Sequence, residues 1–161
     1  MDIFANVVLG FSVALTPTNL LFCFLGSVVG TLVGVLPGLG PVGAVAFLLS
    51  LTFKMAPATA VIMLAGIYYG AMYGGSTTSI LVNIPGETAS VVTCLDGYRM
   101  ARQGRAGAAL GIAAFGSFIA GTFGVIGLMF LAPMLGRAAL RFGPAEYFAL
   151  TLTGLTLVAY L

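Results

Sequence analysis

Four hydroxyl side chains stand in a row at Ser76, Thr77, Thr78 and Ser79, followed by an amide at Asn83 and a carboxylate at Glu87. The chain around them is 60% apolar and 6% charged, so every polar side chain is informative. A second cluster, Leu36-Pro37-Gly38-Leu39-Gly40-Pro41, carries no polar side chain and offers backbone instead. Proline lacks an N–H and glycine favours other conformations, so regular helix cannot run through Pro37 and Pro41. Backbone freed in a membrane survives only where protein or a polar cavity meets it. The chemistry this permits is solute and ion binding: half-helix N-termini face anions, and freed carbonyls with hydroxyls coordinate cations. The candidate binding residues are Pro37, Gly38, Leu39 and Gly40 at one break, and Gly74, Gly75, Ser76, Thr77, Thr78, Ser79 and Asn83 at a second.

Each group also has a plainer role. Ser and Thr in a membrane helix bond back to their own turn, and Pro-Gly can be an interfacial loop. Glu87 follows Pro85-Gly86. It either sits in a first helical turn, favoured by the dipole, or serves as a Na⁺ or H⁺ coupling site. Asp96 is expected to cap a short helix, Lys54 to snorkel, and Glu146 to sit in a first turn. Tyr68, Tyr69 and Tyr73 are belt residues, or Tyr69 and Tyr73, sharing a face at spacing four, line a cavity. An anionic solute would depend on helix dipoles and neutral donors, because neither interrupted segment contains Lys or Arg.

The elements that hold these groups follow from charge spacing. An ordinary soluble domain carries about 25% charged residues. Here the uncharged runs from Asp2 to Lys54, Lys54 to Glu87 and Arg105 to Arg137 each exceed the roughly 20 residues that cross a bilayer core. The fold class is all-α: a polytopic transmembrane protein with discontinuous, Pro/Gly-broken helices. Asp2 to Leu15 suits an interfacial helix. Thr16 is a candidate N-cap, with Pro17 opening a span to Leu36. Val42 to Phe53 is a short apolar piece, and a second span runs from Pro57 to Tyr73, breaks at Gly74-Gly75, and resumes briefly from Ile80 to Ile84. Leu95 to Arg105 is polar, with Arg99, Arg102 and Arg105 on one side of a short helix, and the positive-inside rule makes it cytoplasmic. Ala106 to Pro133 forms a long span, Arg137 and Arg141 lie in the next loop, and Pro144 opens a last span to Leu161. That segment carries no capping signal or polar tail, so residues 1–161 read as a single transmembrane domain forming the N-terminal portion of a longer protein.

Glycine, 23 of 161 residues, is about twice as frequent as usual. Gly26, Gly30, Gly34 and Gly38 recur at spacing four, as do Gly66, Gly70 and Gly74, and Gly107 and Gly111. Such ladders make smooth faces for close helix packing, or for one bundle to slide along another.

Whole classes of function drop out. A net charge of +2 without a long basic run gives a phosphate backbone nothing to grip, so no nucleic-acid partner is expected. Histidine is absent, and Cys23 and Cys94 lie far apart, so no zinc site, His-based triad or disulfide framework can be assembled. Gly38 to Gly43 matches G-x-G-x-x-G, yet no soluble α/β unit surrounds it and no acid lies near Met63. No P-loop occurs. The N-terminus lacks the basic region of a signal peptide. An intramembrane enzyme built on Ser76 would lack a base, so the chain is not expected to be an enzyme and no cofactor is called for beyond a coupling Na⁺ or H⁺. A non-transporting membrane scaffold, with the glycine ladders serving assembly alone, is the other alternative.

Gly30-Thr31, Gly34 through Pro41, Tyr68 through Ser76, Leu81-Val82-Asn83-Ile84-Pro85-Gly86 and Asp96 through Ala106 together resemble the TctA family, the large membrane subunit of tripartite tricarboxylate transporters. The resemblance covers nearly the whole chain. It implies a bacterial inner-membrane secondary transporter that imports citrate or other carboxylates with a cation gradient. A small membrane subunit and a periplasmic solute-binding protein are the implied partners. The family's signature positions carry over to Pro37, Gly38, Gly40, Pro41, Gly74, Gly75 and Ser76. Family members are several times longer and contain a second, related half, which implies a repeat architecture of which this chain is the first half.

Overall fold

Proline placement sets where helices begin. Pro17, Pro57 and Pro144 each occupy the first position of a helix, where a missing N–H leaves no hydrogen bond unmade. The computed structural model describes residues 3–160, and among them every regular element is helical. In chain order these are α1 (Ile3–Ala14), α2 (Pro17–Gly34), α3 (Gly40–Leu48) with a 3₁₀ turn (Leu49–Thr52), α4 (Pro57–Val82), α5 (Val91–Arg102), α6 (Ala106–Ala139) and α7 (Pro144–Tyr160). Three of them, α2, α4 and α6, are long and apolar enough to cross a membrane. The last span expected from the sequence is the 17-residue α7, shorter than these three. The protein is a polytopic helical membrane protein.

Two compact units divide the chain, Met1–Phe115 and Gly116–Leu161. In the second, α7 opens as expected. Glu146 stands in its first turn and its carboxylate accepts from the Gly143 N–H at 2.8 Å. Arg137 is not in a loop: α6 continues through Pro133, and the Arg137 guanidinium donates to the Pro133 carbonyl at 3.1 Å. Membrane helices tolerate such prolines because the freed groups find other partners.

The core of the first unit is the α2–α4 pair. A Cβ built on Gly30 would collide with the Ile67 backbone, and one on Gly34 with the Ala71 backbone. From the other side, a Cβ on Gly66 would lie 2.6 Å from the Cys23 carbonyl, and Gly70 and Gly74 face the backbones of Ser27 and Thr31. Both series climb together, so α2 and α4 run parallel, and α3, which follows α2 in the chain, packs beside the seam on α4. Gly26, Gly30 and Gly34 therefore interlock backbone to backbone with the Gly66, Gly70 and Gly74 face as a packed seam, while Gly38, the last of the first ladder, lies beyond α2 and outside it. No described atom lies within 4 Å of a Cβ built on Gly107 or Gly111. Ala44 and Leu48 of α3 pack with Met63, Ile67 and Ala71 of α4 into the small buried apolar cluster.

A polar clasp fixes the lower end of the seam. Buried Asn19 donates through Nδ2 to the Val13 carbonyl at 2.7 Å and accepts the Thr59 hydroxyl at 2.6 Å. Thr16 has the extended backbone of an N-cap, but its hydroxyl donates backwards to Val13 at 2.9 Å and caps nothing.

Candidate functional site

The break expected at Leu36–Pro41 is present. α2 stops at Gly34, and Gly38 (φ 89°) and Gly40 (φ 59°) take left-handed conformations that only glycine adopts without strain. The chain thereby reverses and starts α3 at Gly40.

The break expected at Gly74-Gly75 is absent. α4 runs unbroken from Pro57 to Val82, because these glycines are where α2 and the Gly86 turn come closest, and a helix without Cβ atoms there is what the packing requires. The hydroxyls bond to their own helix: Thr77 donates to Tyr73 at 2.8 Å, Thr78 to Gly75 at 2.9 Å and Ser79 to Gly75 at 2.8 Å. Ser79 is fully buried in this arrangement.

The second interruption lies further on. Asn83 (φ 59°, ψ 30°) ends α4 in the left-handed conformation, which Asn tolerates better than most residues. The chain then folds back along α4. Gly86 is buried against Gly75 and Gly34, and a Cβ built on it would collide with the Gly75 Cα and stand 3.0 Å from the Gly34 carbonyl oxygen. Gly75 lies about 10 Å below the end of α4 by helical rise, so the connector dips that far before α5 begins at Val91. Across this dip the Gly38 N–H donates to the Gly86 carbonyl at 3.4 Å. Two Pro-Gly turns thus meet beside the upper part of the α2–α4 seam.

Between them opens a cavity of about 610 Å³. Its walls are Gly38 to Val42 from the first turn, Tyr68 and Met72 from α4, and Pro85 to Ala89 with Val91 from the second. The opening residues of both α3 and α5 are part of that wall. A helix start carries about half a positive charge, so two such ends at one cavity favour an anion, although Pro41 has no N–H and the Val91 N–H is taken by the Thr88 carbonyl. No Lys or Arg is in the wall, and Glu87 is its one acid.

Glu87 is not in a first helical turn; it lies in the connector, three residues before the Ser90 that precedes α5. Its backbone N–H donates to Ser90 Oγ at 3.2 Å, and that hydroxyl donates to the Glu87 carbonyl at 2.9 Å, which holds the turn. Its Cβ stands 4.0 Å from a Cβ built on Gly40. Burial pushes the carboxyl up from its ordinary value.

Of the residues singled out from sequence, Gly38, Leu39, Gly40 and Glu87 are brought together here, with Pro37 at the edge of the turn. Gly74 and Gly75 support the turn from behind, and Ser76, Thr77, Thr78, Ser79 and Asn83 lie outside the wall. Tyr68 is in the wall, while Tyr69 and Tyr73 are not; Tyr69 stacks edge-on against Tyr68 at 5.9 Å. Sequence reasoning missed Thr88, Met72 and Val42. The available signal was the second Pro-Gly pair, Pro85-Gly86, which repeats Pro37-Gly38. Asp96 is exposed within α5 and caps nothing; Ser90 holds the N-cap position. Arg99 and Arg102 close α5, where they complement its dipole, and Arg105 lies beyond it. Among the described residues, no group of three or more His, Cys, Asp or Glu could hold a metal ion.

A family model described as the tripartite tricarboxylate transporter TctA family matches residues 20–161. An Agrobacterium vitis protein, described as an uncharacterized 52.8 kDa protein in the TAR-I ttuC' 3'region, is 58% identical over 155 residues. That alignment covers 96% of this chain and 31% of the relative, so the chain spans under a third of the relative's length. No solved structure matches. The chain belongs to the tripartite tricarboxylate transporter TctA family, a transporter family and not an enzyme.

Proposed function

We propose that this chain forms part of the membrane subunit of a secondary transporter, importing tricarboxylates or related carboxylates with a cation gradient. The observation that carries this reading is the meeting of the Pro37-Gly38 and Pro85-Gly86 turns, which sets the starts of α3 and α5 around one cavity. Its volume lies within the range of small-molecule sites. Recognition runs through backbone N–H groups, the Thr88 and Tyr68 hydroxyls and the helix dipoles, since no cation lines the wall. In this reading the binding residues are Leu39, Gly40 and Thr88, with Gly38 holding the turn through its amide, while the Ser76–Ser79 hydroxyls serve the helix.

The partners in this reading are a small membrane subunit and a periplasmic solute-binding protein that delivers the carboxylate. The setting is the bacterial inner membrane, with the Arg99–Arg105 segment on the cytoplasmic side by the positive-inside rule.

The test is uptake of labelled citrate by cells carrying the whole transporter with Leu39→Trp or Thr88→Trp, each of which fills the cavity from an exposed wall position. Uptake at least tenfold lower with unchanged membrane abundance is expected for both. Normal uptake in both variants would remove the cavity from the transport path.

A further inference from the structure

We propose that Glu87 is the proton-carrying residue of this cavity: the carboxylate solute binds with Glu87 protonated, so each solute taken is accompanied by one proton. This rests on the carboxylate reading of the cavity. The geometry leads to it in three steps. Glu87 is the one acid in a wall without Lys or Arg, so its ionisation sets the charge the incoming anion meets. Its Cβ lies beside Gly40, so the side chain leaves the backbone next to the start of α3, whose positive end the solute would use. Two carboxylates brought together in this cavity disfavour each other's charged form, and protonating Glu87 relieves the repulsion.

The surrounding groups favour a proton over a metal cation. Tyr68 of α4 is the other titratable side chain in the wall, and the α2–α3 turn contributes none. Side-chain oxygen is limited to Glu87, Thr88 and Tyr68, and the Gly86, Glu87 and Thr88 carbonyls already accept from Gly38, Ser90 and Val91, whereas a hard cation takes a shell of several oxygens. A proton needs one carboxylate oxygen. Partial burial already favours the neutral acid. On binding, an O–H bond forms at one Glu87 oxygen with a proton from the solute's side. On release of the solute that bond breaks and the proton leaves to the other side.

The experiment is calorimetric titration of the intact transporter in lipid nanodiscs with citrate, between pH 7.5 and 8.5, without Na⁺, in two buffers of different ionisation enthalpy. Citrate is fully ionised there, so any proton taken up goes to the protein. The expected result is one proton per citrate and a Kd that weakens about tenfold per pH unit, with Glu87→Gln binding citrate without proton uptake and without pH dependence. Citrate binding to the unmodified protein with no proton uptake would overturn the role of Glu87 and leave the carboxylate site standing. Proton uptake that persists in Glu87→Gln would overturn it equally. Absence of citrate binding across the range would remove the carboxylate site itself, and the proton role with it.

Discussion

The Gly38 amide donates to the Gly86 carbonyl across 3.4 Å, joining two turns that lie on opposite sides of α4 in the sequence. Each turn contains a Pro-Gly pair and lies between the end of one helix and the start of the next, and their contact places two helix starts at one cavity. Behind them Gly34, Gly75 and Gly86 touch without side chains, so the site is built on backbone packed against backbone. Four predictions follow from particular parts of this arrangement.

Gly70→Ala puts a methyl into the Ser27 carbonyl across the α2–α4 seam, where only backbone can give way. Overpacking of this kind costs about 1–3 kcal/mol, and a backbone obstacle belongs at the upper end. A thermal melt in detergent should show a clear fall in midpoint. Gly43→Ala, with no described atom within 4 Å of the new methyl, should melt at or slightly above the parent, since Ala is the better helix former.

Gly38→Ala forces an L residue to φ 89°. The left-handed conformation costs about 1–2 kcal/mol for such a residue. Citrate uptake should fall along with stability, because the same turn carries the contact to Gly86. Stability lost with uptake intact would separate the turn from the site.

Thr77→Val and Ser79→Ala remove hydroxyls that serve their own helix. Membrane abundance and uptake should be within twofold of the parent, with Ser79→Ala costing about 1 kcal/mol for its buried bond. Abolished uptake at normal abundance would return these hydroxyls to the solute path.

Thr59→Val leaves the buried Asn19 carbonyl oxygen without its donor. An orphaned buried polar group costs about 1–3 kcal/mol. The double variant Asn19→Leu with Thr59→Val should recover part of that loss, because both polar partners are then gone. A double variant that melts lower than Thr59→Val would assign the clasp a stabilising role beyond mutual satisfaction.

The helical class, the three spanning helices and the break at Pro37–Pro41 were legible because proline and charge spacing act locally. Gly74-Gly75 misled for a physical reason. A glycine pair looks the same in sequence whether it breaks a helix or lets another backbone approach, and here the partners are Gly34 and Gly86, distant in the chain. The Ser76–Ser79 hydroxyls drew attention to that stretch, yet carbonyls one turn back are always within their reach. Glu87 was visible as a coupling candidate, but its neighbour Gly40 was not, because only the fold-back of residues 83–90 brings them together. Asp96 has the residue type of a cap, but the helix begins earlier, at Val91, and Ser90 takes that position.

The central claim is that a carboxylate occupies the cavity between the two Pro-Gly turns. Its most direct test replaces Cys23 and Cys94 with Ala, introduces Leu39→Cys, Thr88→Cys or Thr77→Cys singly, and measures thiol labelling of the whole transporter with and without citrate. Citrate should slow labelling at positions 39 and 88 several-fold and leave position 77 unchanged. Protection at position 77 with none at 39 and 88 would contradict the account and move the solute to the hydroxyl face of α4.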